Sequence, residues 1–515
     1  MTTLALPRDM QVRPLILPDD EHNRALLRQA HPADWSNPTP RGRYHLVVIG
    51  AGTAGLTAAG GCAAVEGRVA LIERHLTGGD CLVSGCVPSK GIISAARVAA
   101  TVRQRAAHYG VHVPAGTGVD FGAVMTRMRR LRARISPADS VHHLKKAGVD
   151  VYLGQARFVA RDAIEVDGQR LRFANAVIST GGRAEVPSIP GLKEAGSLTN
   201  ETLFELTEQP KHLAVIGGGP IGCEMAQTFR RLGSEVTLIH NAGHILNRED
   251  ADAAEIIQRA FVREGIRLVL DATTQRVAGR QSAKVLTVQA GGQTVELSAD
   301  AILVSAGRIP NTEGLNLEAA GVAYDATGVK VNDFLQTSNP RIFAAGDVGS
   351  RFKFTHTANA LGRMAMFNAL FWGRHRASRL IVPWCTYTDP EIAHVGLYEQ
   401  QAKEQGHQVT TLTVPLSEND RAILDGEEEG FVRVHLKQGT DQILGATIVA
   451  AHAGDLLTYF TLLMTMGKGL SALSSPIYPY PTQSEVIKRL ANAYLQTKLT
   501  PAIKGLLRRI LAFRR

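Results

Sequence analysis

The stretch YHLVVIGAGTAGLTAAGGCAAVEGRVALIE, residues 44–73, decides the fold. An apolar strand, HLVVIG, runs into a glycine turn, an alanine-rich helix and a second apolar strand, VALIE, that stops at Glu73. The three glycines have separate duties. Gly50 permits the tight turn, Gly52 lets backbone approach a pyrophosphate, and Gly55 lets helix and strand pack closely. The helix N-terminus then faces the phosphate charge. Glu73, 23 residues after Gly50, stands where a carboxylate accepts hydrogen bonds from a ribose. A tight strand-to-helix turn alone would explain the glycines; strand, helix and terminal acid together point to a dinucleotide.

The same plan recurs from Lys211. Strand LAVIG enters the turn GGGPIG, with Gly217, Gly219 and Gly222 in the same three positions, followed by a helix through Arg231 and strand EVTLIH ending at His240. Repetition implies two dinucleotide-binding units in one chain. His240 occupies the place where an acid would hold an NAD ribose, so nothing there repels a 2′-phosphate. With His244 and Arg248 nearby this favours NADPH, although no arginine pair excludes NADH.

The rest of the composition sets limits. With 515 residues, 44% apolar and 20% charged, the chain is ordinary globular protein of about three domains. Its net charge of +10 is local: Lys498–Arg515 holds six basic and no acidic residues, and Arg97–Lys146 ten basic and two acidic, leaving a body of −4. That distribution, without a nucleic-acid-reading motif, argues against nucleic acid as a partner. Five cysteines are too few and too scattered for a secreted disulfide framework. The N-terminus, interrupted by Pro7, Arg8, Asp9, Arg13 and Pro14, is no signal peptide. The longest lipid-like stretch, Leu456–Met466, falls far short of the roughly 20 residues a span requires. A cytoplasmic protein is expected.

Residues 78–90, GGDCLVSGCVPSK, place Cys81 and Cys86 five apart at the start of a helix, a spacing unlike a zinc site or a CxxC pair. This stretch resembles the GGxCxxxGCxPSK signature of the flavin-dependent pyridine nucleotide–disulfide oxidoreductases, the group of glutathione reductase, dihydrolipoamide dehydrogenase and mercuric reductase. Five more segments are similar, in order: VISTGGR (177–183) with Thr180 and Gly181, LVSAGRIPN (303–311) with Arg308, TSNPRIFAAGDV from Thr337 with Asp347, and the two ends of the interface domain, VPWCTYTDPEIAHVG from Val382 and IYPYPTQSE from Ile477.

The resemblance implies an α/β fold: two Rossmann-like domains, for FAD and NAD(P)H, plus an α+β C-terminal dimerisation domain, in a homodimer. It divides the chain into an N-terminal arm (1–43), an FAD-binding domain (44–190), an NAD(P)H-binding domain (191–312), a central continuation of the FAD domain (313–381), an interface domain (382–499) and a basic tail (500–515). Within these, a short helix is expected near Asp20–Gln29, two helices over 92–147 and short strands over 150–190. The charge of the Arg97–Lys146 helical pair is expected to be mainly a solvated face.

By the same resemblance, Cys86 would lie against the flavin as the charge-transfer thiolate and Cys81 would be the exposed interchange thiol. Lys90 and its acidic partner Glu224 would stand beside the flavin, and Asp347 would bind the ribityl chain. Cys62, Cys223 and Cys385 read as structural thiols. Disulfide reductases of the family protonate a departing thiolate with a His before the Pro of an HPTxxE motif, reaching the partner's cysteines. Here the motif reads Tyr480-Pro481-Thr482-Gln483-Ser484-Glu485. A phenol with a pKa near 10 cannot cycle a proton at neutrality as an imidazole near 6.5 does.

Tyrosine at this position is what mercuric reductases carry. Hg(II), held transiently by Cys81 and Cys86, favours sulfur and leaves no thiol to protonate. Against mercury, neither the tail LLRRILAFRR nor residues 1–61 contain the cysteines that mercuric reductases use for delivery. Pro220 replaces an aromatic gate over the nicotinamide site, and Asp80 replaces the Thr before the first cysteine. The expected acceptor is therefore a soft metal ion, with a small disulfide or a quinone as alternative. A membrane-docked redox sensor is the reading of another class. Residues 500–515 form a basic amphipathic helix, with Thr500 as cap and Pro501 first, suited to an anionic membrane, a partner or the protein's own interface domain.

Overall fold

A computed structural model of the chain describes residues 16–280, 283–371 and 373–515; the first fifteen residues of the expected arm lie outside them. Strand Arg43–Ile49 is apolar along most of its length because it is central in a parallel sheet covered on both faces. Val48 pairs with Leu71 of strand Val69–Glu73 on one side and with Val177 of strand Gln169–Ile178 on the other. Val149–Leu153 extends the first side, and antiparallel strands Ala163–Val166 and Arg157–Ala160 extend the second.

A late segment completes this sheet. Ile342–Ala344 pairs in parallel with Gln169–Ile178, Ala344 opposite Ile178, which carries Asp347 to the strand ends beside the first glycine loop. Helix Thr355–Leu370 then lies on helix Thr53–Ala64. Any side chain at Gly362 would put a Cβ 2.3 Å from the Ala54 carbonyl oxygen, so the two helices meet backbone to backbone.

The second unit repeats the plan: His212–Ile216 lies between Glu235–Ile239 and Ala301–Val304, with Arg267–Val269 at the edge, all parallel. A three-stranded antiparallel sheet, Ala272–Arg280, Ala283–Ala290 and Gln293–Ala299, covers it. Arg308–Pro310 pairs with Gly182–Ala184 and ties the two units together. The third unit is a five-stranded antiparallel sheet in the order Pro383–Thr386, Glu391–Gly396, Ile443–Ala450, Phe431–Lys437, Val409–Pro415, packed on helices Ala453–Thr465 and Glu485–Thr497. The α/β class with an α+β C-terminal unit is the architecture observed.

One expectation holds only in part. In Arg97–Lys146, Arg103, Arg130, Arg134, Lys145 and Lys146 are exposed, but other arginines are turned to structural contacts. On helix Phe121–Ile135, Arg129 and Arg132 are buried. Arg129 pairs with Asp20 at 2.5 Å, and Arg132 donates to Asn23 Oδ1 at 2.7 Å and to the Val83 carbonyl. Burial pulls the Arg132 guanidinium down to about 10. Arg97 meanwhile pairs with Glu391 at 2.8 Å, and Arg105 with Asp389 and Glu427. These arginines are apolar-stemmed forks that hold carboxylate or carbonyl oxygens of other elements. Arg129 and Arg132 dock helix Glu21–Ala30, capped by Asp20, onto the body, so this helix of the arm is packed structure.

Candidate active site

The two glycine loops are built alike, down to a serine neither motif contains. Gly50 turns at φ 97° and Gly217 at φ 113°, conformations that L side chains avoid. A Cβ on Gly55 would sit 1.8 Å from the Gly50 oxygen, and one on Gly222 1.9 Å from the Gly217 oxygen. Ser179 Oγ donates to the Gly50 oxygen and Ser305 Oγ to the Gly217 oxygen, each at 3.0 Å. Nothing approaches a Cβ on Gly219.

The first loop fits FAD. A cleft at the strand ends is lined by Gly50, Glu73, Gly154 and Thr180. Buried Glu73 accepts the Ala51 N–H and the His75 N–H, each at 2.7 Å, which fixes its carboxylate at the loop. The second loop fits a nicotinamide dinucleotide through a different residue. His240 is buried, its Nδ1 accepts the Gly218 N–H at 3.1 Å, and burial holds its pKa down. The ring is thus neutral with its proton on Nε2, which has no partner among the described residues. The ring therefore places a buried N–H and no positive charge beside the second glycine loop. His244 bonds the Ile245 carbonyl, and Arg248 is exposed.

The redox motif is clamped onto the first loop. Gly78 and Gly79, at φ 96° and 56°, cross so closely that a Cβ on Gly79 would meet Gly52 Cα at 2.7 Å. One helical turn, Gly79–Val83, carries Cys81; Gly85 then starts helix Cys86–Ala100. Cys86 is the first residue of that helix, where the helix dipole favours an anion. Its sulfur accepts the Cys81 S–H and lies 3.1 Å from Thr355 Oγ1. The bond from Cys81, the Thr355 hydroxyl and the Lys90 charge outweigh burial and lower Cys86 to about 6, while Cys81 is raised by the same bond and by burial. These opposite shifts favour the thiolate on Cys86 and the thiol on Cys81 when the pair is reduced.

Lys90 donates to Glu224 Oε2 at 2.8 Å, the expected pair. Glu224 Oε1 accepts the Tyr387 N–H at 3.0 Å, and Lys90 Nζ lies 4.4 Å from the centre of the Tyr387 ring. Burial pushes the Tyr387 phenol up to about 12. Arg308 bonds Asp347 at 3.3 Å, the Gly182 carbonyl at 2.8 Å and Asp80. Asp80 thereby joins the cysteine turn to the Asp347 segment. Thr180 Oγ1 donates to the Asn311 carbonyl at 2.6 Å, and the Asn311 N–H bonds the Gly181 carbonyl at 3.0 Å.

Two expected residues stand apart. Tyr480 is exposed and donates to Asp420 Oδ2 at 3.0 Å, a bond that raises its pKa further, and Glu485 begins helix Glu485–Thr497. One chain brings neither to Cys81. Cys62 and Cys223 are buried with raised pKa values, and Cys385 donates weakly to Glu391 at 3.7 Å. Thr355 and Tyr387 were missed, because long-range packing alone delivers them. The serine latches could have been found by aligning the two repeats, since VIS and LVS close corresponding strands.

Two family models match the chain: pyridine nucleotide-disulphide oxidoreductase over residues 44–362, and the dimerisation domain of the same family over residues 382–491. The mercuric reductase of Staphylococcus aureus is 35% identical over 454 residues, 88% of this chain and 83% of that protein. The dihydrolipoyl dehydrogenase of Bacillus subtilis (strain 168) is 32% identical over 468 residues, 87% of this chain and 98% of that protein. The solved structure of the HOCl-induced flavoprotein disulfide reductase RclA from Escherichia coli superposes with a TM-score of 0.78 at 28% identity, covering 87% of this chain and 99% of that one.

Proposed function

The chain belongs to the pyridine nucleotide-disulphide oxidoreductase family, and from that premise we propose that it carries two electrons from NADPH, by way of FAD and the Cys81–Cys86 pair, to a soft metal ion such as Hg(II). It is an FAD-dependent disulfide oxidoreductase, and the matched dimerisation domain supports a homodimer. FAD, when bound, supplies the two-electron relay between the nicotinamide and the cysteines.

Tyr480 carries the choice of acceptor. Opening a disulfide substrate releases a thiolate that needs a proton, and a phenol raised further by Asp420 is a poor donor for it. Hg(II) makes no such demand: Cys81 gives up its proton when both sulfurs bind the ion, two electrons passed on from NADPH then reduce it to Hg(0), and the sulfurs are left as thiolates with no departing thiol to protonate. Cys86, lowered to about 6, supplies one ready thiolate. For the coenzyme, the absence of an acid at His240 supports NADPH, because an acid there would repel a 2′-phosphate.

A second reading, reduction of a small organic disulfide, is favoured by the 32% identity to a dihydrolipoyl dehydrogenase. Anaerobic NADPH reduction of the flavoprotein, followed by a panel of Hg(II), other metal ions, disulfides and quinones, separates the two. Reoxidation by Hg(II) with release of Hg(0) is expected; reoxidation by a disulfide alone overturns the metal reading.

A further inference from the structure

The geometry points to helix Pro501–Phe513 as a docking element for an anionic lipid surface. The helix is complete: the Thr500 side chain accepts the Ile503 N–H at 3.4 Å, and Pro501 opens its first turn. None of its residues is buried. At 100° per residue, Ile503, Leu506, Leu507, Ile510, Leu511 and Phe513 fall within an arc of about 160°. All six are exposed, Leu506 by 58% and Phe513 by 93%. Lys504 and Arg508 flank that arc on one side and Arg509 on the other, and no acidic residue occurs between Lys498 and Arg515.

These features select the occupant. A helix that packed on its own interface domain would bury its apolar arc, and this one does not. A second copy docked through the dimerisation domain is a weaker match, because the stretch matched to that domain ends at residue 491. Six basic residues and no acid complement an anionic surface, and an apolar arc bounded by cations on both flanks suits a helix lying in a headgroup plane. Thirteen residues make a helix of about 20 Å, too short to cross roughly 30 Å of hydrocarbon. Among the described residues no helix is long and apolar enough to cross a membrane. Lys498 donates to the Gly439 carbonyl at the root of the helix, which anchors it to the body.

The test is co-sedimentation of the full-length holoenzyme with phosphatidylcholine vesicles, with and without about 30% phosphatidylglycerol. Binding to the anionic vesicles, weakened about tenfold by high salt, is expected. A chain ending at Leu499 should stay in the supernatant. Ile510→Glu, and Arg508→Glu with Arg509→Glu, should each lose about tenfold in partitioning while NADPH turnover is unchanged. Equal binding by the full and shortened chains overturns the proposal. So does salt-insensitive binding to pure phosphatidylcholine, and so does an assembly larger than a dimer that Ile510→Glu disperses, which would put a second copy on the face.

Discussion

Cys86 Sγ and Thr355 Oγ1 stand 3.1 Å apart, each on the first residue of its own helix. The hydroxyl can donate to the sulfur only when the sulfur is an anion or an acceptor, so the contact favours the thiolate and lowers Cys86. Thr355→Val should raise the Cys86 midpoint from about 6 by about one pH unit, or about 1.4 kcal/mol. Lys90→Met should move it in the same direction. The long-wavelength thiolate–flavin absorbance of the two-electron-reduced enzyme, followed from about pH 5 to about pH 9, reports the midpoint. An unmoved midpoint in Thr355→Val would leave that residue a packing role only.

Asp80 and Asp347 share Arg308. Asp80 therefore adds a negative charge beside the cysteine turn and occupies part of a guanidinium that would otherwise serve Asp347 alone. In Asp80→Thr the local charge becomes more positive, which makes adding electrons to a neighbouring group easier. The flavin midpoint potential, measured by dye equilibration, should rise by about 30 mV, the equivalent of about 1.4 kcal/mol for two electrons. A fall, or no change, would show that Asp80 acts only as a tether.

How much of this was open to a reader of the sequence depended on range. The glycine loops are local constellations whose spacing specifies turn and helix, and the cysteine pair carries a local family signature; the structure places both as spaced. Thr355 and Tyr387 lie 269 and 163 residues from the Cys86 and Glu224 groups they touch. No periodicity could link them. Arg129 and Arg132 were misread because a helical wheel cannot distinguish a solvated arginine from one whose stem is buried and whose fork is spent on Asp20 and Asn23. The sequence puts His240 at the end of its strand, but the bond its Nδ1 accepts from the Gly218 N–H is to a backbone group that composition does not display.

Glu249 is a buried carboxylate that accepts Trp384 Nε1–H at 2.8 Å and the Tyr398 hydroxyl, joining the second unit to the third. Burial raises its pKa above that of the unfolded chain. The folded state thus prefers the protonated acid: its stabilising contribution is complete below the ordinary carboxylate pKa near 4.3 and is lost as pH rises through the folded value. Glu249→Gln should flatten that part of the stability–pH curve in denaturant titrations. Tyr398→Phe, which leaves one carboxylate oxygen without a donor, should destabilise by about 1–3 kcal/mol at neutral pH. A wild-type curve already flat across that range would mean Glu249 is charged and well paired.

Tyr480 offers the sharpest division between acceptors. Its hydroxyl donates to Asp420, which Arg489 also holds at 3.4 Å, so an imidazole placed there would meet a carboxylate that orients it and favours its protonated form. Tyr480→His should therefore install a group able to give and retake a proton near neutrality. Disulfide reduction should rise by about a hundredfold, the lower end of what a positioned acid–base group contributes. Hg(II) reduction should not rise, because no sulfur leaves. Steady-state NADPH oxidation with each acceptor, paired with its pH profile, distinguishes the outcomes: a new rate limb near the imidazole pKa with the disulfide alone supports the division. An equal gain with Hg(II) would show that proton delivery limits both reactions, and the case for a metal ion as the acceptor would fall with it.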